Sequence, residues 1–347
     1  MSGGKARKSS HGLSADTLFH DAASVILRRR LQTVADAVER LRKSHNSSRI
    51  QPDDIHQVRV SVRRASAAIS VFGGCVDAPR RLSKTRMRLR DMRRAIGTTR
   101  SCDVSLSILE HDRETADPAQ RAGIERLEAA LRRKRDQSLR EVRRAVRRCS
   151  PDRLRKWGRK LAASTVEVPG GDSEVAACSL GEAARSALGA LLSDIRRYGS
   201  MDLQQAETLH ELRLAAKRLR YATEVFGPCF EPERLDEATD LLVLVQDRLG
   251  IANDLSEIVN FIRRRIEKEP TQASYPLLLA TYSRRFDETR ADFISWWRHS
   301  GDHDLAHAYR GLAARLDPAH DPTDTVLQPL SRVRIAPITQ GVNGSRA

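Results

Sequence analysis

Two stretches of this chain set basic side chains at helical spacing, an arrangement suited to gripping an anion. The first holds His56, Arg59 and Arg63, with Arg64 beside them; the second holds His210, Arg213, Lys217 and Arg220. Residues three and four apart share a helix face at roughly 5–6 Å, so each set forms a ladder of cations. Guanidinium groups present planar forks of N–H donors that match phosphate oxygens. Like charges at this spacing slightly destabilise an isolated helix, so a ladder kept twice implies an anionic partner that relieves the repulsion. A third segment extends the pattern with Arg86, Arg90 and Arg93, then Arg94 beside them and Arg100 further on.

Catalysis finds little support in these residues. No nucleophile or paired acid recurs with the two histidines, so they read as groups that contact a ligand or orient their neighbours. The chain has neither a G-x-x-x-x-G-K-[ST] phosphate loop nor an E-x-E-x-K strand motif. His299, His303 and His307 have the spacing of a metal pair on a helix face, but only Asp302 and Asp304 could add a carboxylate. No metal and no other cofactor is expected. Cysteines at 75, 102, 149, 178 and 229 are odd in number and never in a C-x-x-C pair. They argue against a disulfide framework or structural zinc and fit a reducing cytoplasm.

The charge has a direction along the chain. The 347 residues carry 61 Lys and Arg against 45 Asp and Glu, a net of +16. Residues 1–165 hold 39 of those cations and 18 acids, whereas residues 166–347 hold 22 and 27. An anionic partner held mainly by the first half follows from that asymmetry. Arginine outnumbers lysine 52 to 9, although a genome rich in G and C would favour arginine codons too. Aromatic residues make up 4%, which disfavours a stacking platform for single-stranded nucleic acid. A general nucleic-acid-binding, nucleoid-associated role is the alternative reading, and it rests on charge alone. No apolar run approaches the ~18–20 residues of a membrane span. The stretch Met1 to Asp16 lacks the apolar segment of a secretory signal, so none is expected.

The elements that must carry these rows read as helices almost throughout residues 18–316, an all-α bundle. An internal repeat organises them: the segment from Ile55 to Arg64 realigns onto Leu209 to Arg218, 154 positions later. Apolar residues at 55, 58, 62, 69 and 72 have counterparts at 209, 212, 216 and 226, with Thr223 the polar exception. Each makes one buried stripe, and the basic row lies one residue further round, about 100° away. Gly73 and Gly227 stop the paired helices at the same place. The basic third segment follows its own stripe of Leu82, Leu89, Met92 and Ile96, while the helix from Leu241 to Leu249 in the second half is not basic.

Further breaks are expected at Gly97, Pro118, Pro151, Gly250 and Pro270. Asp254-Leu255-Ser256-Glu257 has the form of a helix-start capping box, and Ser300-Gly301-Asp302 that of a helix start. The arginine clusters at 132–135 and 143–148 read as a solvated helix offset by Glu125, Glu128, Asp136 and Glu141. The expected division is a basic tail (1–17), a first helical half (18–165), a second half (166–316) and a proline-containing tail (317–347), with a linker from Ser164 to Ser173.

Four motifs, in this order, give the chain a resemblance to a known family. They are His56-x-x-Arg59-x-x-x-Arg63-Arg64; Arg90-x-x-x-Arg94-x-Ile96-Gly97-x-x-Arg100-x-x-Asp103; His210-x-x-Arg213-x-x-x-Lys217-x-x-Arg220-Tyr221; and Leu249-Gly250-x-x-Asn253-Asp254. The chain resembles the CHAD domain, the conserved histidine α-helical domain, across residues 18–316. The resemblance implies two helical bundles related by a pseudo-two-fold axis, with basic residues lining a central cleft or pore. It also implies non-enzymatic binding of inorganic polyphosphate and, in bacteria, a place on polyphosphate granules in the cytoplasm, where granule proteins become possible partners. The residues it marks for that ligand are His56, Arg59, Arg63, Arg64, Arg86, Arg90, Arg94, Arg100, His210, Arg213, Lys217 and Arg220. Two positions depart from the pattern. Ser101 stands where the family usually has Asp, and Ser66 stands opposite Arg220, removing one rung from the first ladder.

Overall fold

The computed structural model describes residues 12–46, 52–167 and 178–314. These residues form ten α-helices, with two isolated β-bridges and no strand among them. The first five are α1 (Phe19–Asn46), α2 (Pro52–Phe72), α3 (Pro79–Thr115), α4 (Pro118–Arg148) and α5 (Pro151–Ala162). The second five are α6 (Leu180–Gly199), α7 (Ala206–Phe226), α8 (Pro232–Lys268), α9 (Ser274–Trp296) and α10 (Asp302–Ala314). Helices α2 and α7 are each 21 residues long, and α3 and α8 are each 37.

Local chemistry fixes most of the boundaries. Proline opens α3, α4, α5 and α8, where the missing N–H would have had no intrahelical partner. The Asp117 carboxylate accepts from the Gln120 N–H at 2.8 Å and caps α4. Ser179 and Glu182 cap α6 reciprocally, at 3.2 and 2.8 Å. After Phe72 and Phe226 the chain tightens into a 3₁₀ turn, Gly73–Cys75 and Gly227–Cys229 respectively.

Two expected breaks are absent. Gly97 lies within α3 and Gly250 within α8, and both helices run through without interruption. An interior glycine costs about 1 kcal/mol relative to alanine, a penalty that the packing of a long helix on its neighbours outweighs. The capping-box reading of Asp254 to Glu257 fails for the same reason: these residues sit inside α8, where the N–H groups are already taken by the preceding turn. Near residue 300, α9 passes through a π turn (Trp297–Gly301) into α10, so His299 lies in the turn. Gly301 is required there, since a Cβ would come within 2.9 Å of the Trp296 ring.

Helix α2 packs against α1, α3 and α7, and α7 against α6 and α8, so α2 and α7 lie at the centre. Their predicted stripes are buried: Ile55, Val58, Val62 and Phe72 are inaccessible, as are Leu212, Ala216 and Phe226. The polar exception, Thr223, is buried as well. Its hydroxyl lies 2.9 Å from the Leu219 carbonyl and 2.6 Å from the Tyr309 hydroxyl of α10, which satisfies it. Two hydrophobic cores result. The larger joins α1, α2 and α5 to α6, α7 and α10. The smaller joins the C-terminal part of α3 and the N-terminal part of α4 to α8 and α9. Both take side chains from either side of the linker expected from Ser164 to Ser173; residues 168–177 lie outside the described residues, as do residues 1–11 of the expected basic tail and the whole of the expected tail at 317–347.

Candidate anion-binding site

The stripe that buries α2 against α7 leaves the adjacent row of each helix turned toward the other helix and toward α3. Arg63, Ser66 and Arg93 line one pocket together with Leu214, Lys217, Arg218 and Tyr221. Contributions thus come from α2, α3 and α7. Ser66, the missing rung, turns its hydroxyl back onto the Val62 carbonyl at 2.7 Å and adds no charge to the pocket it lines.

The charges in this region act on one another. Burial lowers the Arg59 guanidinium to about 10, and Arg63, Arg100 and Arg213 push in the same direction. Lys217 falls furthest, to about 5: burial is the main cause, followed by Arg213, Arg63 and Arg59. Arg93 is lowered by burial and then by Arg63, Arg90 and Arg94. His56 is held below its ordinary value by burial, Arg100 and Arg59, and His210 by burial and Arg213. The side chains of both rows and of α3 therefore share one electrostatic environment.

Little within the protein balances them. Among the described residues, no hydrogen bond or ion pair engages the side chains of Arg59, Arg63, Arg213 or Lys217, and the buried Nε of Arg59 and of Arg213 lacks an acceptor. On α8, Asp254 favours the charged forms of Arg213 and Lys217, and Glu257 those of Arg213 and His210; Glu211 of α7 acts likewise on His210 and Asp53 of α2 on His56. Asp103, on α3, is instead taken by Arg135 of α4 at 2.5 Å.

Three residues of the rows have internal partners. The Nε of Arg64 donates to the Glu224 carboxylate at 2.5 Å, and Arg220 approaches the other oxygen of the same group at 3.6 Å. Arg220 also donates to Gln246 of α8 at 3.0 Å. Glu224, nearly buried, is thus a cross-tie between α2 and α7. Arg86 packs over Gly73 and donates to the Ile69 carbonyl at 3.1 Å, closing the C-terminal end of α2. Arg90 and Arg94 remain exposed on α3.

Elsewhere, the arginines of α4 are partly matched by acids. Arg132 bridges Glu110 and the buried Glu128, each at 2.9 Å, and Arg144 meets Glu141 at 2.7 Å. His303 and His307 stack with ring centroids 6.3 Å apart, and among the described residues no three His, Cys, Asp or Glu side chains gather as a metal site.

An all-helical protein whose own acids only partly offset a cluster of cations at the centre of its bundle is a scaffold whose chemistry suits oxyanions. The comparisons place it more narrowly. The family model of the CHAD domain matches residues 25–263, so the chain belongs to the CHAD domain family. Members of that family are known as polyphosphate-binding and generally non-catalytic domains. The fold is similar to the crystal structure of the CHAD domain from the plant Ricinus communis, at 19% identity and a TM-score of 0.56, covering 89% of this chain and 98% of that one. It is also similar to the structure titled PptA from Streptomyces chartreusis, at 18% identity and a TM-score of 0.53, covering 85% and 100%. No curated protein matches the chain in sequence. Among the described residues no helix is long and apolar enough to cross a membrane.

Proposed function

We propose that this chain binds inorganic polyphosphate without transforming it, through the basic cluster between α2, α3 and α7, and that it thereby attaches to polyphosphate granules in the cytoplasm. One observation carries the reading: Arg59, Arg63, Arg213 and Lys217 share one environment with no hydrogen-bond or ion-pair partner among the described residues. Burying cations is costly unless a counter-charge is supplied. A flexible linear anion with about one charge per phosphate supplies it repeatedly and has no bases to be read. Grip then comes from charge-assisted hydrogen bonds and counterion release, and by analogy with other polyelectrolytes it should fall steeply with salt.

His56, Arg59, Arg63, Arg90, Arg93, Arg94, Arg100, His210, Arg213 and Lys217 are assigned to the chain. Arg64, Arg220 and Arg86 position the helices that bear them, through Glu224 and the end of α2. Labelled long-chain polyphosphate challenged with duplex DNA at physiological salt tests the assignment. Retention of polyphosphate at equal phosphate concentration is expected; displacement by DNA would favour the nucleic-acid reading. In the same preparation, incubation with divalent metal should release no phosphate, and steady shortening of the chain would make the protein an enzyme.

A further inference from the structure

Lys217 differs from every other cation of the cluster in being able to give up its proton. Arginine holds its charge at any pH of interest, whereas a half-buried lysine that shares a pocket with Arg63, Arg93 and Arg218 and has no hydrogen-bond acceptor among the described residues can lose it. The groups that face it come from each neighbouring element. On its own helix these are His210, Arg213, Arg218 and Tyr221; on α2, Arg59 and Arg63; on α3, Arg93; and on α8 the acid Asp254. Arg218 has acids of its own, Glu211 at 3.5 Å and Asp194 of α6 at 3.8 Å. Asp254 favours the charged form of Lys217, and Arg213, Arg63 and Arg59 each act more strongly against it.

We propose that Lys217 is a neutral amine in the free protein and takes up one proton from solvent when a phosphate chain occupies the cluster, so that binding at this site is proton-linked. This rests on the polyphosphate reading above and adds its regulation. The step is a simple protonation: the Nζ lone pair accepts a proton from bulk water, and the resulting ammonium donates three N–H groups to chain oxygens. The polyanion supplies the counter-charge that the protein withholds. Burial and the arginines hold Lys217 near 5 in the free state. A bound chain lifts that value, and between the free and bound values the affinity rises up to about tenfold for each unit by which pH falls. Below about 5 the lysine is charged in both states and the dependence levels off.

Calorimetric titration of the full chain with long-chain polyphosphate tests this at pH 7.5, in two buffers of different ionisation enthalpy. Internal phosphates are fully ionised there, and burial with neighbouring arginines holds both histidines below their ordinary value in the free protein, so the difference between wild type and Lys217→Arg isolates the lysine from any imidazole contribution. Uptake in the wild type should exceed that in Lys217→Arg, which carries a permanent charge, by close to one proton per protein. Binding with no uptake, or uptake unchanged in Lys217→Arg, would overturn the inference while leaving the polyphosphate reading intact. Absence of binding would overturn both. Should the variant fold poorly, the wild type still decides. The chain has nine lysines, and ¹³Cε-lysine NMR should show one titrating near pH 5 in the free protein and moving above pH 8 on saturation with polyphosphate. If all nine titrate in the ordinary range, the neutral amine does not exist.

Discussion

The two basic faces that meet at the centre are unequal in how far their own half compensates them. Along α2 and α3, cations accumulate: Arg59, Arg63, Arg90, Arg93, Arg94 and Arg100, with Asp103 diverted to Arg135 on the outer helix α4. Along α7 and α8 the cations Arg213 and Lys217 are met by Asp254 and Glu257, and Arg220 by Gln246. A polyanion therefore meets a donor-rich wall on one side and a partly satisfied wall on the other. The first wall should supply more of the attraction. The second, where a lysine replaces an arginine, is where ionisation responds to the ligand.

The largest effect concerns the cross-tie that both faces share. Glu224→Gln leaves Arg64 and Arg220 without their acid and should lower stability by about 2–3 kcal/mol, less than a fully buried pair would lose because Arg64 is 33% exposed. Chemical denaturation would measure it, and an unchanged midpoint would mean that solvent already screens the tie. Next, Arg59→Ala with Arg63→Ala should weaken polyphosphate binding about a hundredfold, on the basis of about 1.5–3 kcal/mol for each hydrogen bond involving a charged group. Arg143→Ala with Arg144→Ala removes the same charge from exposed positions on α4 and should cost only a few-fold. Equal losses would mean that bulk charge, not the placement of the rows, governs affinity.

Removing the acid from the compensated wall sharpens the contrast. Asp254→Asn should strengthen polyphosphate binding several-fold while destabilising the free protein, since Asp254 is the carboxylate that favours charge on both Arg213 and Lys217. Weaker binding in this variant would instead mark Asp254 as a residue that orients the cations. The last effect is thermal. Lys217 holds a proton up to its ordinary value of 10.5 in the unfolded chain but only to about 5 when folded, so the unfolded state binds more protons between those limits and stability rises with pH there. The histidines, lowered in the folded state, act with the same sign. At low salt the melting temperature should climb by a few degrees from pH 6 to 8 and flatten with saturating polyphosphate. This range stays below that in which buried thiols, such as Cys75 and Cys149, raised to about 11, work the other way.

Much of this was legible from spacing. The stripe at 55, 58, 62, 69 and 72 and the row one residue round it both follow from 3.6 residues per turn, and the helices that carry them extend as the pattern requires. Gly97 and Gly250 misled because a glycine marks where a helix can stop, whereas burial of Ile96 and Cys102 around the first, and of Leu249 and Ala252 around the second, decides that the helix continues. Asp254 through Glu257 misled in the same way: a capping sequence caps only where free N–H groups exist. At the site, Arg64 and Arg86 look like members of the row, but their partners, Glu224 and the Ile69 carbonyl, are 160 and 17 residues away and become visible only on folding. Tyr221 and Arg93 appeared in the sequence as parts of motifs. Their place beside Lys217 depends on how α3 and α7 approach one another.

The shared cores carry a consequence for any attempt to dissect the molecule. Leu106, Leu109, Ile124 and Leu131 before the linker are packed with Leu255, Ile258, Ile262 and Tyr282 after it. A fragment cut at residue 165 would present those side chains to water and should aggregate rather than stand as a miniature of the whole. Because the wall that attracts and the wall that titrates depend on the same interior, neither can be shed or inherited alone.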